Sequence, residues 1–219
     1  GPMHPERPQR LEAIVKRLRD THLWDQLVHL PFAPADMKQV LAVHERAYID
    51  RLRDACEREL PYIDTPDSAI GRGSFDIALL AAEGANAAVD AVMAQQHAGT
   101  PVRNAFCALR PPGHHAEADR SMGFCLLNNI ALAAQHLIDH HGLSRIAIVD
   151  FDVHHGNGTQ HIFEHRDDVL FISLHEHPSY LYPGTGFAHE KGVSRGEGFT
   201  INLPMEPRSG DAEYRRAFL

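Results

Sequence analysis

The stretch RIAIVDFDVHHGNG, residues 145–158, decides the fold. Its first half is a continuous apolar run, which is typical of a strand buried on both faces of a parallel sheet. Asp150, Asp152 and His154 follow at a spacing of two, and residues two apart in extended backbone point to the same side. An Asp and a His in this arrangement can chelate one divalent cation, while a neighbouring carboxylate orients a histidine or binds another ion. The stretch therefore predicts a buried strand that ends in a metal site.

A simpler interpretation of the same residues is an aspartate that caps the next helix, followed by histidines on a solvated loop. For a lone Asp or His that interpretation would be preferred. Two aspartates and two histidines packed directly behind an apolar strand favour the metal site instead.

Helices and further strands alternate on either side of this stretch. The apolar spacing and the turn residues predict helices over residues 5–18, 45–59, 76–98, 128–141 and 159–165, and strands over 104–109, 145–151, 169–174 and 199–203. This alternation predicts an α/β fold with a mainly parallel sheet flanked by helices on both faces. We expect one domain over residues 1–219.

The composition excludes several classes of protein. With 219 residues, 43% of them apolar and 23% charged, the chain can form a sizeable core. Its net charge of -8 argues against a nucleic-acid surface and would tolerate cationic substrates such as lysine peptides or polyamines. Three scattered cysteines indicate a reducing compartment, and no apolar run is long enough to span a membrane. We therefore expect a cytoplasmic protein.

Three further motifs follow predicted strands or precede predicted helices. In RPPGHHA, residues 110–116, His114 and His115 follow a proline turn and could form an acid/base couple or belong to a polar loop. In SMGFC, residues 121–125, the glycine could let backbone approach a slender substrate or could serve helix packing. YPGTG, residues 182–186, has the composition of a turn.

In their order and spacing, these motifs resemble the metal-dependent histone deacetylase family. The similarity is greatest to class II enzymes and bacterial histone deacetylase-like amidohydrolases, with acetylpolyamine amidohydrolases nearby. The opening HPERPQR, residues 4–10, matches the segment after the first strand of such enzymes. The resemblance implies an arginase/deacetylase-like fold and a zinc-dependent amidohydrolase that removes acetyl groups from amines through a metal-activated water.

The resemblance also implies a role for individual residues. Asp152 and His154 match two of the three protein ligands of the catalytic metal, which is Zn²⁺ in the family, with Fe²⁺ or Co²⁺ as alternatives for an oxygen-rich site. His115 matches the general acid/base and is oriented by Asn157. His114 matches the electrostatic partner of His115 and is oriented by Asp150.

The same resemblance implies two structural potassium sites and part of a substrate tunnel. The first potassium site would use oxygens of Asp150, Asp152, His154, Ser173 and Leu174, and the second would use carbonyls of Phe163, Arg166 and Val169. Gly123, Phe124 and Tyr182 would line the tunnel for the acetylated side chain.

Two of the family's functional residues have no match in this sequence. They are the third metal ligand, an Asp, and the Tyr or His that stabilises the oxyanion, both of which belong to later motifs. We therefore expect the chain to be truncated at both ends and, by itself, inactive, since losing an oxyanion donor costs about 10²- to 10³-fold in rate.

The expected partners are acetylated lysine peptides, polyamines or other small acetylated amines, with no direct binding of nucleic acid or membrane. A homo-oligomer is also compatible with the sequence. Two alternative functions remain open at this point. One is a catalytically inactive protein that binds acetylated ligands; the other is an arginase-like ureohydrolase, which would need more aspartates and against which the tandem His114-His115 argues.

Overall fold

The computed structural model describes residues 4–219 and shows an α/β protein. In chain order the helices are α1 (Gln9–Asp20), α2 (Met37–Val40), α3 (Arg46–Glu57), α4 (Ser74–Met93), α5 (Asn129–His141), α6 (Asn157–Phe163) and α7 (Asp211–Phe218). The strands are β1 (Gln96–His97), β2 (Thr100–Pro101), β3 (Ile146–Asp150), β4 (Val169–Glu176) and β5 (Thr200–Met205). Short 3-10 turns lie at Trp24–Gln26 and Ser194–Gly196.

The main sheet has the order β3-β4-β5 and is parallel throughout. In its register Asp150 lies beside Ser173, and Ser173 lies beside Asn202. The carboxyl ends of the three strands therefore share one edge, where binding sites gather in open parallel sheets. Strands β1 and β2 form a separate antiparallel hairpin.

Two apolar clusters hold the elements together. One is built by α3, α4 and the segment that leads into α5, with Tyr48 and Leu52 fully buried in it. The other lies between the sheet and helices α5 and α6, where Ile148 and Phe171 pack with Phe163. This second cluster anchors α6 against the sheet, and so it fixes the loop between β3 and α6 that carries the histidine motif.

The parallel α/β architecture confirms the predicted fold class. The strands predicted over 145–151, 169–174 and 199–203 correspond to β3, β4 and β5, and each predicted end lies within two residues of the observed one. The predicted strand over residues 104–109 is wrong. That segment has no strand in the structure, and Phe106 is 72% exposed. A strand needs a neighbour for its backbone hydrogen bonds, and no described strand pairs with this segment.

The predicted helix over residues 76–98 is also too long at its carboxyl end. Helix α4 ends at Met93, and the β1–β2 hairpin follows. Ala98 and Gly99 have positive φ angles of 47° and 82°, and these left-handed conformations reverse the chain and are incompatible with a continuing right-handed α-helix. Within residues 4–219, no helix combines the length and apolarity needed to cross a membrane.

Candidate active site

The loop after β3 is built from side-chain-to-backbone hydrogen bonds. Asp150, the last residue of β3, accepts the backbone N–H of Asp152 on Oδ1 at 3.1 Å. Asp152 in turn accepts the backbone N–H of His154 at 2.8 Å. Such turns are what short acidic side chains form at strand ends, and here they fix the direction of two successive carboxylates.

The Asp152 and His154 side chains fit a shared metal ion. Asp152 Oδ1 lies 3.0 Å from His154 Nδ1, and both side chains are partly exposed to the same cavity. Two donors that each bind an ion at about 2 Å are separated by about this distance. Burial opposes ionisation of Asp152, but the hydrogen bond from the His154 backbone and the nearby imidazoles lower its pKa overall, so this donor is a carboxylate at neutral pH.

His114 is paired with Asp150 next to this loop. Its Nδ1–H donates to Asp150 Oδ2 at 2.8 Å. Burial alone would lower the pKa of His114, but the hydrogen bond and the charge of Asp150 outweigh it and raise that pKa. Gly156 leaves room for the pair, because a Cβ there would overlap the Asp150 carboxylate. The structure thus brings together the two residues predicted to act as a pair.

His115 is held by Asn157, the first residue of α6. His115 Nδ1 lies 2.8 Å from Asn157 Oδ1, and Asn157 Nδ2 donates to Glu117 Oε1 at 2.8 Å. A carboxylate only accepts hydrogen bonds, so Glu117 turns the amide nitrogen towards itself and the amide oxygen towards His115. His115 therefore carries its proton on Nδ1, and its Nε2 keeps a lone pair.

The protonation state of His115 follows from its surroundings. The residue is 4% exposed, and burial is the largest cause that lowers its pKa to about 4; electrostatic repulsion by the neighbouring imidazoles adds to the effect. At neutral pH the ring is an uncharged base. His114 and His115, whose ring centroids are 4.1 Å apart, thus have pKa values shifted in opposite directions.

Glu117 is a site residue that the sequence analysis did not identify. Besides Asn157, its carboxylate accepts Arg120 at 2.8 and 3.0 Å and lies 3.0 Å from His161 Nδ1. Burial would raise the pKa of Glu117, but these partners lower it to about 2. The only sequence signal was its position two residues after His115 and three before an arginine, which is too common to indicate a role.

A cavity of about 610 Å³ is lined by the predicted catalytic pair His114 and His115, the predicted metal ligands Asp152 and His154, and the three predicted tunnel residues. The other two predicted catalytic residues, Asp150 and Asn157, contact the two histidines without lining the cavity. Gly123 has φ of +57°, and a Cβ there would overlap the His115 ring, so only glycine fits. Phe124 also adopts a positive φ, of 68°, and the Tyr182 ring centroid lies 5.2 Å from that of His115. Residues that the sequence analysis did not assign to the site also line this cavity: Pro5, Glu6, Arg10, Asp67 and Pro112.

The residues predicted for potassium occupy two separate places. Asp150 and Ser173 are direct neighbours across β3 and β4, and the buried Ser173 hydroxyl is hydrogen-bonded to His175 Nδ1 at 2.8 Å. The loop residues Asp152 and His154 follow β3 directly, and Leu174 lies next to Ser173 in β4. The other predicted set lies where α6 connects to β4: Phe163, Arg166 and Val169.

Within that second set, the Phe163 carbonyl accepts the backbone N–H of Arg166 at 2.9 Å. The two sets are thus brought to different ends of the α6–β4 unit, and their role in binding potassium stays a prediction.

Comparison with known proteins agrees with the fold. The sequence model of the histone deacetylase domain matches residues 4–219. A probable deacetylase of Archaeoglobus fulgidus is 44% identical over 98% of this chain, and a histone deacetylase-like amidohydrolase of Pseudomonas aeruginosa is 41% identical over 98%. The chain spans about half the length of these curated relatives, 57% of the first and 54% of the second.

A solved structure with the same fold is the crystal structure of the HDA15 HD domain. It superposes with a TM-score of 0.84 at 38% sequence identity, over 92% of this chain and 57% of that one. Because the domain match runs through every motif of the site as well as the sheet, this chain belongs to the histone deacetylase domain family.

Proposed function

We propose that the protein hydrolyses the amide of acetylated amines, with acetyl-lysine peptides, acetylpolyamines or other small acetylated amines as substrates. The observation that carries the proposal is the placement of an uncharged His115 in the same cavity as the donor pair Asp152 Oδ1 and His154 Nδ1. This combination of a base and a metal-binding pair is what metal-assisted amide hydrolysis requires. The paired His114 and His115 favour it over the arginase-like alternative.

Asp152 and His154 would hold the metal. We propose Zn²⁺, with Fe²⁺ or Co²⁺ also suited to one carboxylate and one imidazole. When bound, the ion supplies Lewis-acid polarisation of the acetyl carbonyl and lowers the pKa of a water molecule towards about 7.

His115 would move the protons of the reaction. Its Nε2 carries the lone pair, so it accepts a proton from the attacking water and later returns it to the departing amine. Asn157 and Glu117 keep the other proton on Nδ1 through two hydrogen bonds of 2.8 Å each. Without these hydrogen bonds the proton could sit on either ring nitrogen. The base must be Nε2, because Nδ1 already contacts Asn157.

His114 would stabilise negative charge near the reacting group. Its hydrogen bond to Asp150 raises its pKa, so it gains a positive charge more readily than His115 does. A cationic imidazole whose ring centroid is 4.1 Å from that of the base also disfavours protonation of that base before the reaction.

Gly123, Phe124 and Tyr182 would form part of the walls around a slender acetylated side chain, since all three line the cavity. Asp67 lines it as well, and the chain carries a net charge of -8, whereas the charge of Glu6 is offset by ion pairs with Arg10 and Arg110. The Asp67 carboxylate and the net charge both favour substrates with a cationic backbone or tail.

We further propose that structural potassium binds at two sites. The first uses oxygens of Asp150, Asp152, His154, Ser173 and Leu174, and the second uses Phe163, Arg166 and Val169.

The proposal is tested with the full-length protein by metal analysis and a fluorogenic acetyl-lysine assay. We expect His115→Ala to retain its metal and to lose about 10²- to 10⁴-fold in kcat, the usual contribution of a general base. We expect Asp152→Asn to lose metal and turnover together. His29→Ala, which removes an exposed imidazole, is the matched control. Unchanged turnover in both site variants would exclude the proposed roles.

A further inference from the structure

A second cluster of metal-binding side chains lies between helices α4 and α5. Asp90 Oδ1 is 2.7 Å from His136 Nε2 and 2.7 Å from His141 Nε2. Among residues 4–219, these three form the one group of three or more His, Cys, Asp or Glu side chains whose donor atoms lie within 4.8 Å of one another. Two imidazoles and one carboxylate are a ligand set that zinc sites use.

The electrostatics of the two helices favour a cation at this place. Asp90 is in the last turn of α4, and His141 is the last residue of α5. The last turn of a helix carries partial negative charge, which disfavours a carboxylate and favours a cation. Two such helix ends meet at Asp90, so this carboxylate needs positive charge beside it more than most surface acids do.

Hydrogen bonding alone accounts for the cluster poorly. If both rings donate to Asp90 Oδ1, each must carry its proton on Nε2, and Nδ1 of His136 is then a bare acceptor. His136 is 7% exposed, and its Nδ1 has no hydrogen-bond partner among the described residues. An unpaired buried acceptor is costly. Nδ1 of His136 stays unpaired whether Nε2 carries a proton or binds an ion, and a bond from Nε2 to a metal ion offsets this cost better than a hydrogen bond to Asp90 does.

The neighbouring ring leaves room for a further donor. His140, one helical turn after His136, lies with its ring centroid 4.3 Å from that of His136 at an interplanar angle of 34°. It is exposed, as is the Asp90 carboxylate, at 52%. A fourth position on an ion bound here is thus open to water or to His140.

We propose that Asp90, His136 and His141 bind one divalent transition-metal ion, Zn²⁺ or a similar borderline ion, as a clasp between the carboxyl ends of α4 and α5. The present nitrogen–oxygen distances of 2.7 Å would widen by a few tenths of an ångström around such an ion. The ion would be distinct from that of the candidate active site. Helix α5 begins beside the proline turn, at Asn129, and its last residue is twelve positions or roughly 18 Å further along the helix.

The test uses the full-length protein in a background in which Asp152→Asn and His154→Ala have removed the candidate active-site donors. Calorimetric titration with Zn²⁺ is expected to show one bound equivalent. In this background, either Asp90→Asn, which keeps the shape of a half-exposed side chain, or His141→Ala is then added. Each should weaken Zn²⁺ binding by more than the loss of about 10- to 100-fold that is typical when a residue touching only the ligands, and not the metal, is changed. His165→Ala removes an exposed imidazole that lies 3.8 Å from a glutamate, and it should leave the titration unchanged.

Thermal unfolding gives a second readout. Since Zn²⁺ would bind only the folded cluster, it should raise Tm of the background protein but not of its Asp90→Asn form. If the background substitutions prevent folding, elemental analysis of otherwise unmodified protein replaces the titration, and Asp90→Asn should lower its zinc content by one equivalent. The clasp would be overturned if the background protein bound no equivalent of Zn²⁺, or if adding Asp90→Asn or His141→Ala left Zn²⁺ binding as tight as in the background protein.

Discussion

The single residue whose role is most open to test is Glu117. It touches neither the cavity nor the candidate metal donors, but it decides which end of the Asn157 amide faces His115. In Glu117→Gln the neutral amide can donate as well as accept, so the orientation of Asn157 and the tautomer of His115 are no longer fixed. We expect kcat to fall by about tenfold or more while KM stays nearly constant, since general base catalysis contributes about 10²- to 10⁴-fold. Steady-state kinetics measures both.

A second substitution separates this positioning role from a general loss of structure. Aspartate at position 157 can only accept, so it holds His115 in the same tautomer without help from Glu117. Asn157→Asp should therefore restore turnover in the Glu117→Gln protein. In the presence of the native Glu117 it should lower turnover, because two carboxylates would face each other where the 2.8 Å hydrogen bond now lies. If Asn157→Asp changes both backgrounds alike, Glu117 does not act through Asn157.

At the scale of secondary-structure elements, the start of α5 depends on Asn128. Its Oδ1 accepts the Ala131 backbone N–H at 3.1 Å as the helix cap, and its Nδ2 donates to the Ala116 carbonyl at 3.1 Å and the Thr159 hydroxyl at 3.2 Å. This fully buried side chain thus ties α5 to the segment after His115 and to α6.

Asn128→Ala removes the cap and leaves the Ala116 carbonyl without its side-chain donor. We expect the free energy of unfolding to fall by about 2–3 kcal/mol, about 1 from the cap and the rest from the buried hydrogen bonds. Urea unfolding measures the change. Asn129→Ala is the matched control, because its side chain donates once, to the Pro111 carbonyl, and should cost about 1 kcal/mol. Equal losses in the two variants would contradict the role of Asn128.

The elements that could be predicted are those whose signal is local. The apolar run that forms β3 and the Asn128 and Gly142 boundaries of α5 are visible in the sequence, and Asp152 and His154 follow from the period of extended backbone. The predicted strand over 104–109 was wrong because a strand exists only beside a partner, which a local pattern does not contain.

The site was predictable to the same extent. The histidine and aspartate motifs are contiguous, whereas the Asn157–Glu117 contact joins residues 40 positions apart. The cluster of Asp90 with His136 and His141 joins residues on two helices. Neither has a sequence spacing of its own, because both arise only when separate elements pack together.

At the scale of the whole molecule, the two apolar clusters are joined around residues 43 and 44. Val43 packs against both of them. His44 is 2% exposed; its Nδ1–H donates to the Glu117 carbonyl at 2.9 Å, and its Nε2 accepts the Asn128 backbone N–H at 3.0 Å. Both bonds require the uncharged ring, since a proton on Nε2 would face another N–H. His44 thus connects the helical cluster to the segments that carry the site, provided that it stays neutral.

This requirement predicts how stability depends on pH. Burial lowers the pKa of His44 to about 4 in the folded protein, against about 6.5 in the unfolded chain. Above about pH 6.5 His44 is neutral in both states and adds no pH dependence. Between about pH 6.5 and about pH 4 the unfolded chain binds a proton that the folded protein does not. Lowering the pH through this range therefore lowers the free energy of unfolding, by up to about 1.4 kcal/mol per pH unit.

In His44→Gln an amide can donate to the Glu117 carbonyl and accept the Asn128 N–H without titrating. Urea unfolding between about pH 7 and about pH 5 should therefore shift the difference in stability towards the Gln variant by roughly 1–2 kcal/mol. A difference that is constant with pH would mean that His44 is protonated as easily in the folded molecule as in the unfolded one, and that the two clusters do not depend on its neutral state.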